Sequence, residues 1–292
     1  MKARLVFLLL CGIWGSTWLF IKVGLEDLPP LTFAGIRFVI ACIILFCLIR
    51  LRGISLPSTR RDWGLLAATG VLSFCLNYGL VFWGEQYISS GLAAVLQATL
   101  PAFGLVFAHL HLPGERMTWT KIVGVVLGFS GVVVVFSNQL AIAGGKALAG
   151  SVALVLSAFF AAYSNVLVKA YGRKLEPAIL SGGQMFFGLI PLLLIGIPLE
   201  GNPFHYHWTP MALVALLYLA VVGSVIAFML YYWLVHNMDV TKTMLISLVT
   251  PVVAVVLGMV VLGEDLSWRT IAGGIMIMVG VRFVTRISLS IR

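Results

Sequence analysis

The segment GERMTWTKIVGVVLGFSG at 114–131 returns in altered form as GEDLSWRTIAGGIMIMVG at 263–280. Gly114, Glu115, Trp119, Ile122, Gly124 and Gly131 recur in register as Gly263, Glu264, Trp268, Ile271, Gly273 and Gly280. Pro101 and Pro251 stand at nearly the same offset upstream, so the repeating unit is about half the chain. A duplicated architecture is expected, with units at 1–140 and 147–288.

What each unit is made of follows from hydropathy. The 292 residues are 61% hydrophobic and only 10% charged, with a mean hydropathy of +1.08, far from the makeup of a soluble domain. A span needs about 20 apolar residues. Apolar runs bounded by charges and turn residues predict helices near 3–22, 31–50, 63–84, 88–111, 119–137, 149–170, 178–199, 210–236, 240–262 and 269–287. The expected fold class is an all-α integral membrane protein of ten transmembrane helices. The first apolar stretch lacks a small-residue cleavage site and reads as a retained helix.

The formal charge of +9 is spread over alternate loops, a pattern that marks topology and not nucleic-acid binding. With a cytoplasmic N-terminus, fifteen of the Lys and Arg residues fall inside and only Lys22, Lys146 and Arg269 outside. This bias predicts both termini on the cytoplasmic side of a multi-pass protein. Five spans per unit is an odd number, so the second unit enters the membrane from the opposite face. The expected arrangement is therefore a pair of inverted-topology repeats, a route to alternating access.

The stretches WGSTWLFIKVGLEDLPPLTFAGIRF at 14–38, SGLAAVLQATLPAFGLVFA at 90–108, the following GER and TPVVAVVLGMVVLGED at 250–265 resemble the EamA family of the drug/metabolite transporter superfamily. The resemblance spans essentially the whole chain. It implies a secondary transporter, usually of a bacterial inner membrane, often exporting amino acids, their derivatives or other small metabolites. It also implies a central cavity lined by helices 1, 3, 4, 6, 8 and 9, with helices 5 and 10 packed to one side.

Polar and aromatic residues inside apolar spans are the candidates for a substrate site, because each needs a partner or a wet cavity in hydrocarbon. Helix 1 offers Trp14 and Thr17, helix 3 Asn77 and Tyr78, and helix 4 Gln97. Tyr163 and Asn165 stand on helix 6, Ser224 and Phe228 on helix 8, and Ser247 and Thr250 on helix 9. Pro101 and Pro251 each free a carbonyl one turn upstream, and paired kinks in two repeats point to a midplane site. Arg37, about two turns inside helix 2, needs a partner such as a helix-end carbonyl or Glu85, and reads as structural or gating. Glu85 and Lys22 read as solvated rim residues of an outer gate.

With no carboxylate near the centre of any span, coupling through an intramembrane carboxylate is not expected. Cys11, Cys42, Cys47 and Cys75 read as inert core thiols, and neither a metal site nor a cofactor is expected. The partners expected are a small-molecule substrate and the lipid bilayer, and no nucleic acid. Gly124, Gly128 and Gly131 with Gly273, Gly274 and Gly280 make small-residue faces on helices 5 and 10, expected to pack inside one chain; the alternative for GxxxG at 124–128 is a seam between two copies, although one chain suffices to close a site. The function expected is export of a small neutral or zwitterionic metabolite, an amino acid or derivative. A channel without an occluded cycle and an intramembrane enzyme are the alternatives, the latter lacking HExxH, a nucleophile with its base, or paired aspartates.

Overall fold

The computed structural model describes residues 2–112, 118–142, 144–237 and 246–286. Among these there are helices and loops and no strands. The helices are α1 (Lys2–Gly24), α2 (Pro30–Leu51), α3 (Arg60–Glu85), α4 (Ser90–His111) and α5 (Trp119–Ile142). They continue as α6 (Gly144–Tyr171), α7 (Pro177–Glu200), α8 (Pro210–Ala220, prolonged through 221–237), α9 (Ile246–Leu262) and α10 (Trp268–Arg286). Seven of them are long and apolar enough to cross a membrane, and α5 and α9 contribute shorter apolar helices. Leu8, Val133, Leu194 and Val260 are exposed on the outside of the bundle. Large apolar side chains turned outward suit a lipid solvent, so this is a multi-pass membrane protein.

Local chemistry sets the helix starts. Ser89 and Thr209 accept from the backbone N–H of Leu92 and Ala212, and proline occupies the first turn of α2, α7 and α8, where an N–H has no intrahelical partner. Two caps come from far along the chain. The Glu200 carboxylate accepts from Leu31 N–H and Thr32 N–H at 2.8 and 2.7 Å. Glu264 accepts from Ser90 N–H, the Ser90 hydroxyl and Gly91 N–H at 2.7, 2.9 and 3.1 Å. A carboxylate at a helix N-terminus is favoured both by hydrogen bonding and by the helix dipole.

Packing pairs distant helices. α1 lies against α8 and α9, α6 against α3 and α4, α2 against α7, and α5 against α10. The α5/α10 contact is backbone to backbone. A Cβ on Gly131 would meet the Gly273 carbonyl oxygen at 2.5 Å, one on Gly273 the Gly131 oxygen at 2.6 Å, and one on Gly280 the Gly124 oxygen at 2.5 Å. Gly131 faces Gly273 while Gly124 faces Gly280, so the two helices run antiparallel and the repeated glycines are each other's partners within one chain. Trp119 and Trp268, which open the two helices, are both exposed, as suits aromatic anchors at a membrane interface.

The GER segment at 114–116, expected at the inner side, lies outside the described residues. Other sequence expectations change. Pro101 breaks its helix, with a turn at 98–99, whereas Pro251 sits inside an uninterrupted helix. At the break the Thr99 hydroxyl donates to the Leu96 carbonyl. Cys47 is exposed, unlike the buried Cys11, Cys42 and Cys75, and Lys121, expected at the inner end of its helix, is buried on α5.

The α1–α2 loop is held by Asp27, which accepts from the Thr209 hydroxyl and meets His207 Nδ1 at 2.9 Å. The Thr209 bond first, and then His207, hold this carboxyl below the ordinary aspartate value.

Two predictions follow from this packing. Gly131→Ala, Gly273→Ala and Gly280→Ala each lower stability in detergent by about 1–3 kcal/mol through overpacking. Gly128→Ala, whose Cβ would meet nothing within 4 Å, is neutral or stabilising by up to about 1 kcal/mol; equal losses at all four positions would contradict the seam. For Asp27 the depressed folded value means that its stabilisation is present above the unfolded value and is lost as pH falls through the folded one. Asp27→Asn therefore lowers Tm at neutral pH, and the gap to the native protein closes on acidification; a constant gap would show that the charge is not what matters.

Candidate functional site

Two helices depart from α geometry at their middles. α3 contains a π segment at Val71–Asn77 and α8 one at Val221–Ile226, each beginning eleven residues after its helix start at Arg60 or Pro210. A π turn inserts an extra residue, loosens the carbonyl ladder and re-aims side chains. Both segments face the bundle interior, with Phe74, Cys75, Asn77, Gly223, Ser224 and Val225 buried.

Arg37 meets the α8 segment. Its side chain is 1% exposed. Nε donates to Ser224 Oγ at 2.8 Å and Nη2 to the Gly223 carbonyl at 3.3 Å, while Nη1 has no hydrogen-bond partner. The guanidinium carbon stands 5.0 Å from the Tyr78 ring centroid, 5.3 Å from Phe38 and 5.8 Å from Phe82. The cation is thus held by a hydroxyl and a carbonyl of the π segment and by three aromatic faces. The partner is a backbone carbonyl in the middle of α8 and not the helix-end carbonyl expected from the sequence; the carboxylate option, Glu85, forms no ion pair with it among the described residues.

Around Arg37 the predicted aromatic residues gather. Phe74 stacks near Tyr78 at 5.7 Å and packs on Phe228 at 5.1 Å, and Phe228 meets Trp14 edge-on at 5.6 Å. Trp14 also contacts Tyr231, and its buried indole N–H is unpaired. Thr17 donates to the Trp14 carbonyl and borders Gly223, where an added Cβ would meet Thr17 Cγ2 at 2.9 Å. Trp14, Thr17, Arg37, Tyr78, Ser224 and Phe228 therefore form one cluster among α1, α2, α3 and α8. On the same helix interface, Ser16 and Tyr218 share a hydrogen bond at 2.6 Å.

A second, uncharged cluster adjoins it through the Asn77–Tyr78 step. Gln97 Nε2 donates to Asn77 Oδ1 at 3.2 Å, Ser157 Oγ donates to Gln97 Oε1 at 2.7 Å, and Asn77 Nδ2 returns to the Ser73 carbonyl at 3.1 Å. The two predicted amides meet, and Ser157 of α6 is the link the sequence reading missed. A third network, also missed, ties α3 to α7 and α8. Gln184 Nε2 donates to Thr69 Oγ1 at 2.8 Å, and the Tyr232 hydroxyl donates to Gln184 Oε1 at 2.7 Å. Gln184 was readable as the only carboxamide in its apolar span; nothing marked Ser157 out from other helical serines.

Other predicted residues fall elsewhere. Tyr163 packs on Phe107 and His111 at the far end of α4, and Asn165 is half-buried outside both clusters. Ser247 and Thr250 are half-buried on α9, where the Thr250 backbone presses on Gly15. Glu85 is not a solvated rim residue: it is 0% exposed, because the ends of α1 and α4 close over the tip of α3. No group of three or more His, Cys, Asp or Glu suited to a metal occurs among the described residues.

Comparison with known proteins bears directly on this arrangement. The sequence profile of the EamA-like transporter family matches residues 1–137 and 148–286. The chain belongs to the EamA-like transporter family. Relatives with this likeness include the uncharacterized inner membrane transporter YedA of Escherichia coli K12, 33% identical over 87% of this chain and 81% of the relative. The uncharacterized transporter YoaV of Bacillus subtilis is 26% identical over 92% of this chain and 91% of its own length. An uncharacterized transporter of Archaeoglobus fulgidus is 28% identical over 98% and 99%. A solved crystal structure covering 99% of both chains shares the fold, with a TM-score of 0.70 at 19% identity. This EamA-like protein is thus a membrane transporter with a polar, singly cationic centre.

The Arg37 anchorage yields a prediction. Ser224→Ala removes the acceptor of a buried cation and lowers stability by about 1.5–3 kcal/mol, the range for hydrogen bonds to charged groups. Ser224→Thr, which keeps the hydroxyl, recovers part of that loss; equal unfolding free energies for the native and Ala proteins would show that the cation is held by its aromatic faces alone.

Proposed function

We propose that this EamA-like protein is a secondary transporter that exports a small neutral or zwitterionic metabolite, an amino acid or derivative, by alternating access. Its two five-helix units, 1–140 and 147–288, are inverted repeats in the cell inner membrane, with both termini cytoplasmic.

The observation that carries this reading is the meeting of Arg37, Ser224, Tyr78, Asn77 and Gln97 at two π segments placed alike in α3 and α8. One guanidinium with an unpaired nitrogen suits one carboxylate, and the neighbouring amides, hydroxyl and aromatic faces suit an uncharged or cationic remainder. A phosphate dianion would call for several converging cations, and Arg37 is the single cation of this cluster. Alternating access is supported by the pairing of helices. Renumbering each helix n as n+5 turns α1–α8 and α1–α9 into α6–α3 and α6–α4, and leaves α2–α7 and α5–α10 unchanged. The antiparallel seam of Gly131 with Gly273 and Gly124 with Gly280 has the same two-fold character. Two alike halves in opposite orientation can exchange conformations and so exchange the open side. The cytoplasmic termini rest on the bias of Lys and Arg among the loops.

The test is counterflow of labelled amino acids and related metabolites into liposomes holding the purified protein. Saturable exchange is expected, reduced about tenfold or more in Gln97→Ala and Asn77→Ala, the factor that corresponds to about 1.4 kcal/mol of lost binding. Exchange unchanged in both variants would move the site elsewhere. Non-saturable flux without counterflow would instead make the protein a channel.

A further inference from the structure

Glu85 is the last residue of α3, and it is wholly buried with neither carboxyl oxygen hydrogen-bonded. Buried carboxylates ordinarily gather several donors, because an ion stripped of water and left unpaired is among the most costly groups a protein can hold. The charged groups about this corner are otherwise engaged. On α1 the Lys22 ammonium donates to the Glu85 and Ile88 carbonyl oxygens at 2.8 and 2.7 Å, and is not paired with the Glu85 carboxyl. Beyond α9, Glu264 spends its carboxylate on Ser90 and Gly91. Arg37 of α2 stands over Phe82 and is bound to Ser224 and Gly223. From α6 come Lys146, exposed at the helix start, and Ser151, whose buried hydroxyl is also unpaired.

The Lys22 and Glu264 charges both act on the Glu85 carboxyl, one attracting and one repelling an anion there, and an ionised Glu85 would have no hydrogen-bond donor in contact. The carboxyl is shut off from outside solvent, and the backbones beside it are in close contact. Gly84, next to Glu85, abuts Gly150, next to Ser151, so closely that a Cβ on either would lie 2.8 Å from the other's carbonyl oxygen.

We propose that Glu85 is a proton-binding site, with its carboxyl neutral while this end of the bundle is packed shut, and that release of the proton to water opens the end by hydrating the carboxylate between α1, α3, α4 and α6. The ligand is the proton. This end is the outer one on the orientation proposed above, and only that assignment of side rests on the transporter reading.

Infrared spectroscopy of the purified full chain in detergent tests the protonation. At neutral pH a carboxylic-acid carbonyl band that shifts in D2O is expected, absent in Glu85→Gln, retained in Glu264→Gln and moved in frequency in Glu85→Asp. A native spectrum without such a band overturns the proposal irrespective of any variant, as does a band that survives in Glu85→Gln. Opening is read by maleimide labelling of Ile88→Cys in a Cys47→Ser background, the remaining cysteines being buried. Labelling should rise several-fold more steeply with pH than in the same protein carrying Glu85→Gln; superimposable profiles would overturn the link to opening. Neither measurement uses a transported substrate. Their failure would leave counterflow intact, and absent counterflow would leave the proton site standing.

Discussion

Arg37 places a fixed positive charge where the surrounding side chains exclude water, and the middle of the bundle is arranged around that fact. A basic residue at the centre of a span costs about 2.5–3.5 kcal/mol on insertion scales. The π turn of α8 supplies the offset, because it brings the Gly223 carbonyl and Ser224 to the guanidinium. The aromatic faces of Phe38, Tyr78 and Phe82 add contacts worth up to about 2 kcal/mol each when desolvated. The π turn of α3 then sets Asn77 beside Tyr78, so the helix that surrounds the cation also carries the uncharged amide network to α4 and α6. The charge is anchored without being neutralised by any carboxylate in contact, and one guanidinium nitrogen is left open. A solute carboxylate that reached this point would find a donor already desolvated.

Much of this was readable from residue types and spacing, and the remainder shows what spacing omits. Hydropathy placed the apolar helices because lipid demands about twenty apolar residues per crossing. The duplicated glycines announced a close helix contact, and Gly131 with Gly273 is that contact. Asn77 and Gln97 were legible because a carboxamide in hydrocarbon is rare and must be satisfied. Their meeting, and the Ser157 hydroxyl that joins Gln97, were not, since helical periodicity says which face a residue occupies and not which helix lies opposite. The π segments carry no residue signature at all, which is why the Gly223 carbonyl could not be foreseen. Pro101 and Pro251 look alike in sequence, yet only the first interrupts its helix. Glu85 was misread for a simple reason: position at a helix end was taken to mean water, whereas Lys22 and the start of α4 close over it.

The two long-range caps constrain how such a bundle can move. Glu200 at the end of α7 holds the start of α2, and Glu264 after α9 holds the start of α4, each through two or three charge-assisted bonds. Leaving two or three of these donors unpaired would cost more than sliding a single hydroxyl contact, so α2 with α7, and α4 with the α9–α10 loop, are the pairs that travel together. The α5/α10 seam, backbone against backbone, is stiffer still. What remains to yield is the set of interfaces among α1, α3, α6 and α8. Away from the close Gly84/Gly150 contact, those interfaces are held by single hydroxyl bonds such as Ser16 with Tyr218 and Ser164 with the Thr69 carbonyl, together with stacked rings that can slide. The easiest seam to part is therefore the one that runs past Arg37 and Asn77, so the cation with an open nitrogen lies where the helices are held by the fewest bonds.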